Sequence, residues 1–289
     1  MTNQTRPTPA SVHDRAAPSA SGDRTRQRLR TTFLVVGTAV AMLAANAVAA
    51  AVQNPVASLI IGPALAAGMI ALYAWVGRRI EKREVTEFTQ PGGARHVLWG
   101  IALGTGLAGA TIGILALLGA YRITGWGSIT GALAVAGMMS AVAVAEEVFF
   151  RGVAFRLLNG RWGAVVALVA SSALFGLLHL LNPGASLAGA LAIATEAGLL
   201  LGAAYLLTGS LWLASGVHFG WNVAIGGIFG TVVSGSDERG SLVTATTSGP
   251  DWLSGGAFGP EASIVAIIVC SIATAGFLIA ARRRTAQHR

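Results

Sequence analysis

Eight apolar runs divide the chain, at 31–52, 57–77, 97–119, 129–150, 163–181, 187–207, 211–231 and 260–281, with short polar segments between them. Each is close to the roughly 20 residues that a helix needs to cross a bilayer. In hydrocarbon a single segment can satisfy its own backbone hydrogen bonds only as an α-helix. The pattern therefore predicts an all-α, polytopic membrane bundle of about eight transmembrane helices, the seventh being the least hydrophobic. Residues 1–30 are rich in Thr, Pro, Ser, Asp and Arg and nearly free of large apolar side chains, which predicts a disordered tail. The rest divides into N-terminal helices over 31–127, a second group over 128–231, a flexible loop over 232–259, and a last helix with a basic tail over 260–289.

Composition supports this class and charge orients it. The 289 residues are 54% hydrophobic and 11% charged, against about 25% charged in soluble domains. With the N-terminus in the cytoplasm, every Lys and Arg except Arg122 and Arg239 falls on the inner side, as the positive-inside rule requires. The net charge of +8 is thus read as orientation, with both termini cytoplasmic, and not as a nucleic-acid footprint. Trp75, Trp99, Trp162 and Trp212 fall at the inner interface and Trp126 and Trp252 at the outer one. Basic residues before the first run raise the alternative of a secretory signal. That run is about twice the length of a short signal core, and it reads as a retained span. The lone cysteine, Cys270, excludes an intrachain disulfide.

Candidate chemistry lies in the few polar groups at membrane depth. Glu146 and Glu147 are adjacent in the fourth run, where a carboxylate is costly unless it is paired or used. Arg151 follows Glu147 by one turn on the same helix face, which predicts an ion pair that leaves Glu146 free. Phe175 precedes His179 by four residues and His218 precedes Asn222 by four, so each pair shares a face. Singly, each polar group could serve as interhelical hydrogen-bonding glue. Together, a carboxylate, two imidazoles and an amide supply a base, a proton relay and an oxyanion donor. The small-residue pairs Gly198/Gly202 and Gly216/Gly220 would let the sixth and seventh spans approach closely.

These pieces, Glu146-Glu147-Val148-Phe149-Phe150-Arg151, Phe175-Gly176-Leu177-Leu178-His179 and His218-Phe219-Gly220-Trp221-Asn222, stand in an order that resembles the CPBP family of intramembrane proteases, also described as the CAAX-protease or Abi family. The run Gly202 to Trp212 is similar to the family's as well, and the resemblance covers about residues 128–228, making 128–231 the expected catalytic core. It implies that Glu146 activates a water that His179 helps to hold. It further implies that His218 and Asn222 stabilise the oxyanion and that Glu147 with Arg151 braces the helix. Phe175 and Glu196 are substrate-pocket candidates; Glu196 belongs to none of the motifs, and its alternative role is that of a neutral acid bonding helices together.

Family members have been described as metalloproteases, and Glu146, His179 and His218 could ligate zinc with one position left for water. There is no His-Glu-x-x-His helix and Asn222 is a poor zinc ligand, so a glutamate-activated water with no required cofactor is the expectation. The implied activity is hydrolysis of a peptide bond near the cytoplasmic face in a membrane-associated or lipidated polypeptide. A bacterial inner membrane is expected because lysine is all but replaced by arginine among abundant Ala and Gly. A non-catalytic bacteriocin-immunity or peptide-binding protein is the alternative; a proton-coupled transporter is a third, disfavoured by the lack of an internal repeat.

Overall fold

The computed structural model describes residues 20–236 and 240–287. The structure is a helical membrane bundle. Its elements are α1 (Ala20–Ala51), α2 (Pro55–Val76), α3 (Gly93–Leu117), β1 (Tyr121–Trp126), α4 (Ile129–Glu147), α5 (Arg156–Leu178), α6 (Leu187–Ile193), α7 (Leu199–Thr208), α8 (Leu211–Asn222), β2 (Val243–Thr247), the short α9 (Asp251–Ser254) and α10 (Ile264–Gln287). Local chemistry sets several starts. Asn54 caps α2 by accepting from the Ala57 amide, with Pro55 in the first turn, and Ser186 caps α6 by accepting from Gly189.

Seven helical segments among the described residues are long and apolar enough to cross a membrane. The expected seventh span is helical, as α8 and a π-helical continuation over Val223–Ile228, but it is not one of those seven. His218 and Asn222 lower its hydropathy, and it is an interior helix: only Trp212 and Phe219 among the residues of α8 escape burial. Burial also ranks the spans. The segment 129–162 is 72% buried over its apolar window and 187–208 is 67% buried, against 22–33% for the other five, so these two form the centre and the rest face lipid.

Three boundaries differ from the sequence reading. Helix α1 begins at Ala20, so residues 20–30 are not a disordered tail; the expectation for 1–19 lies outside the described residues. The expected inner loop 151–162 is helical, because the chain runs on from α4 through a π-helical segment (Val148–Phe155) into α5, and breaks at Gly163 with φ +82°. Arg156, read as a loop cation, instead holds Glu81 through Nη2 at 2.7 and 2.8 Å. The loop 232–259 is largely built: β2 pairs antiparallel with β1, Tyr121 opposite Thr247 and Trp126 opposite Val243.

Close helix approach depends on glycine, with partners other than those expected. A Cβ at Gly100 or Gly104 would strike the α8 backbone at Leu213 and Val217, while one at Gly216 or Gly220 would strike the α3 backbone at Val97 and Ile101. Gly198 and Gly202 meet Ser172 and Leu168 of α5. Both small pairs are packing positions, but α8 is seated by α3 and the 194–208 segment by α5.

Candidate active site

Glu146 and Glu147 end the regular part of α4, midway along the continuous helical run 129–162. That depth is greater than the sequence boundary at 150 suggested. Glu147 and Arg151 are both fully buried and paired at 2.8 Å, as the spacing predicted. The arginine also donates through Nη2 to the Gly198 carbonyl at 2.9 Å and lies over the Phe175 ring, 4.9 Å from its centroid. A buried charge pair must offset a large desolvation cost, which additional donors and acceptors help to meet.

The same Glu147 oxygen, Oε1, lies 3.0 Å from His218 Nδ1. Glu147 is thus more than a helix brace. With Nδ1–H donating to this carboxylate, His218 is held in one ring orientation and turns Nε2 toward Glu146, 3.8 Å from Oε2. The other Glu146 oxygen, Oε1, accepts from the Asn46 side-chain amide at 2.9 Å. Glu146 Oε2 is buried and has no hydrogen-bond partner among the described residues. Asn46 was missed from sequence; the signal was a carboxamide inside an otherwise apolar run.

Asn222 lies on α8 one turn beyond His218, buried, with its amide nitrogen 3.5 Å from the Met139 sulfur. His179 follows α5 at its C-terminal cap, where its Nδ1 lies 2.8 Å from the Phe175 carbonyl. Its link to the other groups runs through Phe175, whose ring centroid is 4.6 Å from the His179 ring and 5.9 Å from the His218 ring. The structure therefore gathers Glu146, Glu147, Arg151 and His218 directly, with Asn222 adjacent and His179 across Phe175. Glu196, 1% exposed, lines a small cavity of about 20 Å³ together with Phe175, His218 and Asn222, and its Oε1 has no partner among the described residues.

Among the described residues no three His, Cys, Asp or Glu side chains are gathered as metal ligands. His218 meets Glu147 through Nδ1 and faces Glu146 through Nε2, but His179 lies across Phe175 and does not complete a set with them. The three side chains that the resemblance would assign to zinc, Glu146, His179 and His218, are not gathered in these positions.

Three π-helical segments adjoin the site: Val148–Phe155 after the glutamates, Ala194–Gly198 around Glu196, and Val223–Ile228 after Asn222. Such wide turns recur at functional positions because they rotate the side chains that follow.

Residues 126–224, about a third of the chain, match the family model described as type II CAAX prenyl endopeptidase Rce1-like. No curated protein and no solved structure matches the chain. The matched segment holds α4, both histidines, Asn222 and the Glu147–Arg151 pair, and over it this multi-pass membrane protein is similar to the CAAX-type endopeptidases.

Proposed function

We propose that the chain is an endopeptidase of a bacterial plasma membrane that hydrolyses a peptide bond in a membrane-associated or lipidated polypeptide, entering from the arginine-rich cytoplasmic face. The observation that carries this reading is the unpartnered Glu146 Oε2, buried and facing the Nε2 of an imidazole whose orientation is fixed by Glu147. A water held there gives one proton to Glu146 as its oxygen bonds to the scissile carbonyl carbon. The negative charge that develops on the carbonyl oxygen is met by His218 and the Asn222 amide, with His179 helping to hold the water. Collapse breaks the C–N bond, and the proton taken by Glu146 passes to the departing amine. Burial strengthens the hydrogen bonds to the oxyanion.

Support for proteolysis over simple peptide binding comes from the free base itself, which a binder has no need to keep unpaired. The test compares the termini of membrane proteins in cells carrying the wild-type chain and Glu146→Gln. Termini that vanish with the variant support turnover and identify the target; identical sets favour the binding or immunity reading.

No cofactor is required by this scheme. Peptidase activity of the purified protein is expected to survive a strong chelator. Complete loss, restored by added zinc, would replace the unassisted water with a metal-bound one.

A further inference from the structure

Glu261 lies outside the matched segment, in the short turn Pro260–Ala262 that leads into α10, and is 1% exposed. Its Oε1 accepts from the Trp221 indole N–H at 2.6 Å. Its Oε2 accepts from both the backbone N–H and the hydroxyl of Ser234, the latter at 2.8 Å. Burial pushes the carboxyl up, against the opposing pull of the Trp221 and Ser234 donors. Three donors on one acid match the acceptor-only character of a carboxylate.

The partners of this carboxylate are the neighbours of the proposed reacting groups. Trp221 sits one turn after His218 and immediately before Asn222. On the other side, the Ser234 carbonyl accepts from the Asn182 amide at 2.7 Å, and Asn182 closes the turn that begins at His179, its backbone N–H donating to the His179 carbonyl at 3.2 Å. Ser234 adopts φ +50°, a conformation that costs a non-glycine residue energy and persists only where the surroundings fix it. Glu261 and Ser234 also line the small cavity shared with His218 and Asn222. Through Ser234, one side chain thus links α8 to the turn that follows His179, a second connection beside the one across the Phe175 ring.

We propose that Glu261 is a positioning residue of the peptidase site, clamping α8 to the turn after His179 so that His218 and Asn222 keep their placement relative to His179. The proposal rests on the reading of those three groups as the reacting site. Misplacement of a catalytic group by about 1 Å costs on the order of 10²-fold in rate, so a clamp that sets the spacing acts on turnover more than on binding.

The test uses the full-length protein purified in detergent, with kcat and KM measured per folded molecule alongside the melting temperature. Glu261→Gln keeps the volume but exchanges one acceptor oxygen for an amide, and Trp221→Phe removes the indole donor together with part of the buried ring. Each is expected to lower kcat by about tenfold or more while leaving KM within about twofold, and the double variant to be no slower than Glu261→Gln alone, as for two ends of one interaction. Should Glu261→Gln fail to fold, Ser234→Ala, which deletes a single donor, carries the test with a severalfold loss in kcat. A lowered melting temperature with wild-type kcat would overturn the positioning role and leave a purely structural clamp. Glu146→Gln is assayed in parallel: if it turns over like wild type, the reading of Glu146 and its neighbours as the reacting site has failed; if it is silent while the Glu261 variant matches wild type, only the positioning role has.

Discussion

Glu146→Gln is expected to lower peptide hydrolysis by about 10²–10⁴-fold, the usual contribution of a positioned general base, with folding intact. Gln keeps the volume of the side chain and an oxygen to accept from Asn46, so the contact with α1 survives. What disappears is the basic oxygen facing His218 Nε2. The loss should fall on kcat, since the amide can still lie beside bound substrate but cannot take a proton from water. Turnover within threefold of wild type would remove Glu146 from the role of base. Asn46→Ala offers a graded companion: the carboxylate remains but loses the hydrogen bond from the Asn46 amide, so its rate should lie between those of the wild type and Glu146→Gln.

Arg151→Met should unfold much of the population, because it strands Glu147 in a site with no exposure to solvent. Breaking a buried pair by removing one partner typically costs about 3–5 kcal/mol, a large part of the usual stability of a domain. The guanidinium's bond to the Gly198 carbonyl and its stacking on Phe175 are lost at the same time. The combination Glu147→Gln with Arg151→Met leaves no uncompensated charge and is expected to recover most of the folded yield. Its turnover should stay low, since a neutral amide no longer stabilises positive charge on the His218 ring. Melting temperature and kcat measured on the three proteins separate the two roles of Glu147; a single Arg151→Met variant as stable as wild type would refute the cost assigned to the stranded carboxylate.

The sequence was most informative where chemistry is local or repeats along a helix. Apolar run length gave the membrane spans, and the four-residue spacing of Glu147 and Arg151 gave their pair, because both depend only on helix geometry. Contacts made across the chain left no comparable trace. Asn46 and Glu146 are 100 residues apart, and nothing near either one says which helices meet. The glycine pair of α8 was recognised as a packing surface, yet its partner is α3, since small residues reveal that a neighbour comes close without naming it. Charge misled at 151–162, where arginines suggested a loop. A helix can carry such residues past the apolar layer, and Arg156 is steadied there by Glu81. The strand Val243–Thr247 was hidden in a Ser/Thr/Gly-rich stretch, although its β-branched residues were the signal to follow. Glu261 was passed over because it stands at the polar edge of the last apolar run, where a carboxylate needs no special explanation until its three donors are seen.

The π-helical segments flanking Glu147, Glu196 and Asn222 have an evolutionary corollary. A wide turn accommodates one more residue than a regular one, so deleting a single residue from 148–155 could leave a smooth, equally apolar helix with every motif side chain still present. Everything beyond the deletion would then be rotated by about 100° relative to the glutamates. The inheritance of such a protein therefore constrains chain length at these points as strictly as residue identity, and homologues should rarely carry insertions or deletions there.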